Sequence, residues 1–267
     1  MIEIFTADDS RLDAFRWRER QLTTIAQRKA GLSAGHFIAE GDLVVQRALD
    51  AQCAPDTVLC DPKRAATFGD QVAQRGGQMY VASVEIRREV TGLGVPLDAI
   101  GLFHRPLAGN AEELIDTCQR LLVLDCIDNP SNIGAIVRTA VALGWDGILL
   151  DTTSADPLSR RALRVSMGVA LKIPFARMND TAHTLADLRG RGVVTIGLTP
   201  ATSAINISSV QLQPLERRAL VLGSERSGLS QSTLAECLLH VSIPMMRGID
   251  SLNVAAAAAV ACYALGG

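Results

Sequence analysis

The chain has 267 residues, of which 48% are hydrophobic and 20% are charged, and its formal net charge is −2. This length allows one large or two medium domains, and the composition is that of a soluble protein with a substantial core. So small a net charge excludes a protein that coats nucleic acid nonspecifically, although it permits a local basic patch. No apolar run approaches the roughly 18 residues of a membrane span, and the N-terminus does not resemble a signal peptide.

The cysteines and histidines show no metal-binding signature. The six cysteines contain no CxxC motif and no zinc-type spacing with histidine, so we expect reduced, mostly buried thiols in a cytoplasmic protein. Packing or surface roles are the expectation for the four scattered histidines, which are His36, His104, His183 and His240. We therefore predict no bound metal and no association with a membrane.

Basic residues are concentrated near the N-terminus, with Phe15 and Trp17 among them. The six basic side chains between residues 11 and 29 are Arg11, Arg16, Arg18, Arg20, Arg28 and Lys29. Arg16, Arg20 and the region near Thr23 could line one face of a helix, which would suit phosphate contact. A solvated helix face is the alternative, and the sequence does not decide between the two.

Residues 1–108 alternate short helical and extended patterns, which predicts a small α/β domain. Helices are predicted at 43–51 and 64–74, and strands at 57–60, 79–82 and 100–104. The stretch RPLAGN, which begins at Arg105, interrupts the periodicity with proline and glycine. We therefore end the first domain at residue 108 and predict a linker at 109–118.

Residues 119–267 show a different pattern, in which near-continuous apolar strands are separated by amphipathic helices. The predicted strands are 121–125, 147–151, 169–175, 193–198, 219–223 and 240–244. Such runs are typical of a parallel sheet that is buried on both faces. Ligands bind to open sheets of this kind beyond the carboxyl ends of the strands, so the loops at those ends are the candidate site.

The first such loop continues into NIGAIVR at 132–138. Ser131 or Asn132 would cap the following helix, and Gly134 leaves room for a ligand beside Arg138, which lies one turn further on. The spacing is weak evidence by itself, since a surface arginine would look the same.

The second and third loops are LGSERSGL (222–229) and IPMMRGIDSLNVA (243–255). Glycines bracket the second loop and permit close backbone approach, but neither a GK[ST] phosphate loop nor a GxGxxG motif is present. In the third loop, Ser251 stands where an N-cap would precede an alanine-rich helix that ends near Gly266. Each feature alone also fits an ordinary turn or a capped helix.

In this order and spacing, the three loops resemble the three motifs of the SpoU (TrmH) family, RNA methyltransferases of the SPOUT class. The stretch 155–168 resembles the segment between the family's first two motifs, and 36–49 resembles the start of its N-terminal domain. The resemblance implies an enzyme that uses S-adenosylmethionine to methylate a ribose 2′-hydroxyl of ribosomal or transfer RNA. It also implies a homodimer, a small N-terminal α/β domain that binds the RNA substrate, and a C-terminal α/β domain with a deep trefoil knot. The knot rests on the resemblance alone, because chain-topology rules make knots rare.

The resemblance also assigns residues to the site. Those that match positions contacting S-adenosylmethionine, largely through backbone groups, are Gly223, Ile243 and Leu252, and we expect Thr199 and Met245 to line the same pocket. Those that match polar positions around the reacting ribose are Asn132, Arg138, Glu225, Ser251 and Asn253. The family gives its first-motif arginine a part in activating the hydroxyl. A guanidinium stays protonated in proteins, so we favour phosphate binding and stabilisation of the developing alkoxide by Arg138.

One position departs from the family pattern, since Arg247 stands where many members have glycine and the glycine follows at Gly248. A noncatalytic RNA-binding or ribosome-assembly protein of the same fold is the main alternative, although a pure binder need not keep all five polar residues. An unrelated nucleotide-binding α/β enzyme would need a phosphate loop, which the sequence lacks. The identity of the RNA and of its modified nucleotide does not follow from the sequence.

Overall fold

The computed structural model describes residues 1–24, 26–27, 35–92, 94, 97–107, 109–212, 217–248 and 250–266. The chain forms two compact units. The first comprises Met1–Leu107 and Leu158–Lys172, and the second comprises Ala108–Pro157 and Ile173–Gly267. Within the described residues, no helix combines the length and the apolar character that crossing a membrane requires.

A five-stranded mixed sheet organises the first unit. Its strands are β1 (Ile2–Ile4), β2 (His36–Glu40), β3 (Pro55–Cys60), β4 (Gln78–Ala82) and β5 (Ala99–His104). They lie in the order β1-β4-β3-β5-β2, in which β5 runs antiparallel to both of its neighbours. The strands predicted at 57–60, 79–82 and 100–104 are confirmed, whereas β1 and β2 were not predicted. β1 has only three residues, and a single residue, Gly41, separates β2 from the helix pattern that follows it.

The helices of the first unit come from both of its chain segments. Within the described residues, the first segment contains α1 (Glu19–Leu22), α2 (Asp42–Asp50), α3 (Pro62–Gln74) and α4 (Val84–Thr91). The second segment contains α7 (Arg160–Val165), since the helices are numbered in chain order through both units. The helices predicted at 43–51 and 64–74 are confirmed as α2 and α3. Asp61 begins α3 by accepting a hydrogen bond from the Arg64 N–H at 2.6 Å, with Pro62 in the first turn.

The suggestion that Arg16, Arg20 and the region near Thr23 line one face of a single helix is wrong. The chain forms a 3₁₀ helix, Ser10–Arg16, and then α1, with a break at Trp17 between them. Arg16 bonds the Ala7 carbonyl and lies 3.4 Å from Asp13, so its guanidinium is engaged within the chain. Arg28 and Lys29 lie outside the described residues.

Glu40 explains why a segment from the second half of the sequence belongs to the first unit. Its carboxylate is 2% exposed and accepts charged hydrogen bonds from Arg160 and Arg164, each at 2.6 Å. Arg160 also donates its backbone N–H to Glu19 at 2.8 Å. A buried carboxylate requires such partners, and this one finds them on α7. The sequence prediction had instead kept Leu158–Lys172 within the domain 119–267.

The predicted linker at 109–118 also differs from the structure, since most of it is helix α5 (Ala111–Thr117). The Asn110 side chain caps this helix by accepting a hydrogen bond from the Glu112 N–H at 2.9 Å. Leu114 and Ile115 are buried in the core of the second unit. The prediction followed the preceding proline and glycine and overlooked this cap.

A seven-stranded sheet organises the second unit, and every neighbouring pair in it is parallel. Its strands are β6 (Arg120–Leu124), β7 (Gly147–Leu150), β8 (Phe175–Arg177), β9 (Val194–Leu198), β10 (Ile205–Asn206), β11 (Arg218–Leu222) and β12 (Leu239–Ser242). They lie in the order β10-β12-β9-β11-β6-β7-β8. The predicted α/β class with a parallel sheet is confirmed, and the trefoil knot stays a prediction.

The strand predicted at 169–175 is wrong. Val169–Lys172 is a 3₁₀ helix that follows the left-handed Gly168, and β8 begins only at Phe175. The run is apolar because Ala170 and Ile173 are buried, and burial alone does not distinguish a strand from a short helix. The remaining helices of this unit are α6 (Pro130–Ala142), α8 (Thr181–Gly190), α9 (Gln231–Ala235) and α10 (Val254–Gly266).

Candidate active site

Three neighbouring strands of the second unit end side by side. β9 lies between β12 and β11, and all three are parallel, so their carboxyl ends share one edge about 4.8 Å apart. Thr199, Gly223 and Ile243 are the first residues beyond these strands. The Thr199 N–H donates to the Val241 carbonyl at 2.9 Å, which ties two of the strand ends together. Three of the five predicted cofactor residues therefore lie at one edge of the sheet.

The loop after β11 is a closed hairpin rather than a simple strand-to-helix turn. Ser224 and Gly228 form an antiparallel bridge, and the Gly228 N–H donates to the Ser224 carbonyl at 3.0 Å. A Cβ atom at Gly223 would stand 2.4 Å from the Gly228 carbonyl carbon, so only glycine fits there without a backbone shift. The hairpin leaves Glu225 exposed near its tip.

The helix caps beside the site differ from the predicted ones. Asn129, not Ser131 or Asn132, caps α6 by accepting a hydrogen bond from the Ser131 N–H at 2.9 Å. Asn253, not Ser251, caps α10 by accepting from the Ala255 N–H at 2.9 Å. Asparagine is as good a cap as serine, and the choice between nearby candidates depends on where the helix starts.

One hydrogen-bonded cluster joins the three predicted motif loops. The Asn253 amide nitrogen donates to Asn132 Oδ1 at 3.2 Å and to Glu225 Oε1 at 2.5 Å. Asn132 is 7% exposed at the start of α6, whereas Glu225 and Asn253 are exposed. We call these three residues the amide–carboxylate cluster. Three of the five predicted ribose residues, distant in sequence, are therefore in direct contact.

Arg138 and Ser251 do not belong to this cluster. Arg138 follows Asn132 by six residues on α6, which places it roughly 120° around the helix. Its side chain is exposed, and it forms no hydrogen bond or ion pair with another described residue. Ser251 is exposed in the irregular loop before α10, and the neighbouring Leu252 is 40% exposed.

The edge formed by the three strand ends offers backbone groups rather than charges. Thr199, Gly223, Ile243 and Met245 are half-buried, and none of them is ionisable. Neither a phosphate loop nor a lysine is present among them, so the set does not suit a nucleotide phosphate. The donors and acceptors fit a nucleoside-type ligand that is recognised through backbone hydrogen bonds.

Two aspartates at the same edge were missed by the sequence analysis. Asp125, just after β6, accepts hydrogen bonds from Thr181 at 2.9 Å and Thr233 at 3.1 Å. Asp151, just after β7, accepts from the Cys126 N–H at 3.0 Å and the Ser154 N–H at 2.9 Å. The signal available in the sequence was the presence of an aspartate at the carboxyl end of each of two buried strands.

Burial and hydrogen bonding act in opposite directions on Asp151. Burial would raise the pKa of its carboxyl, but hydrogen bonds from Ser154, Thr153 and the Cys126 N–H outweigh that effect and hold the pKa below its usual range. Asp151 is therefore ionised and fully bonded, as expected of a group that stabilises the fold.

Comparison with known proteins identifies the family. The model of the SpoU rRNA methylase family matches residues 119–263. The chain belongs to this family. It is 36% identical over 264 residues to an uncharacterized tRNA/rRNA methyltransferase of Mycobacterium bovis, a match that covers 98% of this chain and 90% of that one. It is 29% identical over 241 residues to the 23S rRNA (guanosine(2553)-2′-O)-methyltransferase of Bacillus subtilis, covering 90% and 92% of the two chains.

Solved structures of SpoU-type enzymes have the same fold. An AdoMet-bound rRNA methyltransferase from Sinorhizobium meliloti superposes with a TM-score of 0.82 at 23% identity, covering 98% of this chain and 96% of that one. The SpoU methyltransferase AviRb from Streptomyces viridochromogenes, in complex with AdoMet, gives a TM-score of 0.77 at 22% identity, covering 97% and 98%. At these identities the likeness establishes the architecture, and it agrees with the family that the motifs predicted.

Proposed function

We propose that this protein transfers the methyl group of S-adenosylmethionine to a ribose 2′-hydroxyl of ribosomal RNA. As a SpoU family member it is an RNA methyltransferase that uses S-adenosylmethionine. Ribosomal RNA is favoured over transfer RNA because the Bacillus subtilis relative and a Bordetella pertussis relative, 30% identical over 208 residues, are both named for 2′-O-methylation of guanosine in 23S rRNA. The observation that carries the proposal is the amide–carboxylate cluster, which links all three motif loops beside the strand ends.

The strand-end residues suit the cofactor that the family uses. Backbone groups of Gly223, Ile243 and Leu252 would hold the nucleoside part, with Thr199 and Met245 lining the same site. When bound, this cofactor supplies a methyl group already activated on a sulfonium. The chain's own residues then have to place the hydroxyl in line with that methyl group and handle its proton.

The amide–carboxylate cluster would orient the ribose. The side-chain nitrogen of Asn253 donates hydrogen bonds to Asn132 and Glu225, and its side-chain oxygen caps α10. The amide nitrogen of Asn132 and the second carboxylate oxygen of Glu225 have no hydrogen-bond partner in the described chain. These groups can bind ribose hydroxyls, so Glu225 acts as a positioning acceptor rather than a nucleophile. Ser251 would add a hydroxyl contact from the exposed loop.

Arg138 would bind the phosphate next to the target ribose and stabilise the alkoxide as it forms. The guanidinium stays protonated, so it serves as a charge and a bidentate donor and not as a neutral base. Its donors are unused within the described chain, which leaves them available to RNA. The proton then passes to the phosphate or to water.

A second copy of the chain would complete the site. Arg138 lies on a different face of α6 from Asn132, so Arg138 of a second protomer would approach the ribose that Asn132 of the first orients. Helix α10 packs on α6 and exposes an apolar stripe of Ala256, Val260 and Tyr263, of which Tyr263 is 78% exposed. Covering this stripe with the same surface of another protomer makes a two-fold dimer.

The first unit would bind RNA beyond the target nucleotide, because a separate α/β domain extends the surface available to a folded substrate. A cytoplasmic location agrees with the six cysteines, all of which are free thiols. Turnover is the property that distinguishes this function from the noncatalytic RNA binding that the sequence left as an alternative.

Methyl transfer to RNA from a strain that lacks this gene tests the proposal. Wild-type protein, R138A, R138K and the control R189A are incubated with labelled S-adenosylmethionine, and modified nucleosides are identified by mass spectrometry. Arg189 is a surface residue that pairs with Glu236 at the opposite edge of the same sheet, so R189A should behave as wild type. Substitution of Arg138 by Ala should lower turnover by about 10²–10³-fold, as for loss of one charge-stabilising donor, and R138K should retain measurable turnover.

Each outcome distinguishes the alternatives. A 2′-O-methylated nucleoside of ribosomal RNA made by wild type and R189A supports the proposed reaction. Failure to label RNA, together with failure to bind S-adenosylmethionine in calorimetry, would overturn the proposed reaction. Equal inactivity of R138K and R138A would show that charge is insufficient and that bidentate geometry or proton transfer by Arg138 is required.

A further inference from the structure

Three metal-ligating side chains meet at one end of the first unit's sheet, far from one another in sequence. His36 begins β2 and His104 ends β5, and the two residues are register partners in an antiparallel pair. Asp56 lies in β3, where the register with β5 shifts between Pro55 and Thr57. Such a bulge redirects a side chain, and here it brings the Asp56 carboxylate beside the histidine pair.

The distances within this group fit a shared metal ion. His36 Nε2 lies 3.5 Å from Asp56 Oδ2, and the two imidazole rings lie 4.5 Å apart between centroids. One ligand atom from each residue falls within 4.8 Å of the other two. Tetrahedral zinc with ligands at 2.0–2.2 Å holds two ligand atoms roughly 3.4 Å apart, which is close to the spacing between His36 and Asp56.

The buried nitrogen of His36 gives a second, independent indication. His36 Nε2 has no solvent exposure and no hydrogen-bond partner among the described residues. A buried polar atom of this kind is normally satisfied, and 3.5 Å is too long for a good hydrogen bond to Asp56.

We propose that His36, Asp56 and His104 form a binding site for a divalent transition-metal ion of the zinc type. Two imidazoles and one carboxylate are ligands that such ions prefer, and water would take the remaining position. The ligands come from β2, β3 and β5, so the ion would tie three strands of the first unit together. Its role would be to stabilise this unit, and it would take no part in methyl transfer.

This proposal departs from the sequence-based expectation of no metal, which stays untested. That expectation rested on the spacing of residues along the sequence. Two histidines that face each other across an antiparallel strand pair have no characteristic spacing of that kind. A second candidate group, formed by Asp125, Cys126 and Asp151, lies in the other unit. The hydrogen bonds already made by both aspartates leave it less suited to an ion, and it serves as an internal comparison.

Calorimetric titration of the full-length, chelator-treated protein with zinc chloride tests the site. The variants are H36A, H104A and the milder H104Q, in which the exposed position of His104 limits any effect on folding. H183A is the matched control, because His183 is an exposed histidine in the other unit. C126S removes the only exposed thiol and reports on the second candidate group.

Wild type, H183A and C126S should bind one equivalent of zinc, and H36A, H104A and H104Q should bind it at least tenfold more weakly. Zinc should raise the thermal midpoint of wild type but not of H104Q, and magnesium should raise neither. Unchanged zinc affinity in both H104A and H104Q would overturn the proposal. So would loss of binding in C126S alone, or the absence of bound zinc in wild type at equimolar concentrations in the micromolar range.

Discussion

Two polar networks lie at the carboxyl edge of the second unit's sheet, and they differ in completeness. In the first, both carboxylate oxygens of Asp125 and of Asp151 accept hydrogen bonds from the chain. In the second, the amide–carboxylate cluster, two hydrogen bonds hold three side chains, two of which are exposed. A complete network stabilises the fold, whereas an incomplete one leaves groups available to a ligand. Stability and activity should therefore separate between the two networks.

The largest expected effect comes from the hairpin that carries Glu225. G223A would place a methyl group against the backbone of Gly228, which cannot yield as a flexible side chain does. We expect a loss of about 3 kcal/mol in the free energy of unfolding, or a displaced hairpin, and loss of S-adenosylmethionine binding in either case. Urea denaturation and calorimetry measure the two effects. Unchanged cofactor affinity in G223A would remove this strand end from the proposed cofactor site.

Disruption of the complete network should lower the stability of the fold and leave methyl transfer unchanged. D151N removes the charge that accepts the backbone N–H groups, so we expect about 2–3 kcal/mol of destabilisation at pH 7. The depressed pKa of Asp151 means that its contribution is present above its unfolded pKa of about 3.9 and is lost as the pH falls through the folded value. The difference between wild type and D151N should therefore shrink below about pH 4.

Chemical denaturation from pH 3 to pH 7 measures this dependence, with D128N as the control because Asp128 is an exposed aspartate in the loop after the neighbouring strand β6. Turnover per folded molecule should stay near wild type in both variants. A selective loss of turnover in D151N, at full stability, would contradict the division between the two networks.

The incomplete network should show the opposite behaviour. N253D keeps the oxygen that caps α10 but cannot donate to Glu225, whereas N253A loses both functions. We expect turnover to fall by about 10²-fold in each variant, because the ribose is no longer oriented. Only N253A should lose about 1 kcal/mol from the missing cap. Equal turnover of N253D and wild type would mean that the bond to Glu225 is dispensable.

The smallest expected effect is at Ser251. Because Asn253 is the cap of α10, S251A should leave the free energy of unfolding within about 0.5 kcal/mol of wild type. Loss of one contact to the ribose should raise KM for RNA roughly fivefold, the equivalent of one ordinary hydrogen bond. Thermal denaturation and steady-state kinetics check both. A destabilisation of 1 kcal/mol or more would show that Ser251 stabilises the fold and would contradict this prediction.

The sequence predicts what depends on local pattern and fails where distant segments meet. Apolar runs located β6, β7, β9 and β11, since a strand buried on both faces is largely apolar. β12 was located as well, although His240 in it is exposed. An apolar run of the same kind led to a wrong strand prediction at Val169–Lys172, where the buried residues belong to a 3₁₀ helix. Caps were misplaced by two or three residues because several capping side chains compete near each helix start.

Site residues show the same limit. Motif resemblance grouped Asn132, Glu225 and Asn253, but only the fold shows that Asn253 bridges the other two. The pairing of His36 with His104 depends on strand register, which sequence periodicity leaves undetermined. Long-range contact of this kind follows from topology and not from composition.

The ion pairs of Glu40 also have a consequence for the order in which the protein is made. Glu40 is synthesised early, whereas Arg160 and Arg164 emerge from the ribosome only after the whole of the second unit's first segment, Ala108–Pro157. Until then the nascent chain carries a carboxylate whose native site is buried, which delays completion of the first unit. A fragment that stops at residue 107 would lack both arginines and the helix that packs on the strand of Glu40, so residues 158–172 are needed to complete the first unit.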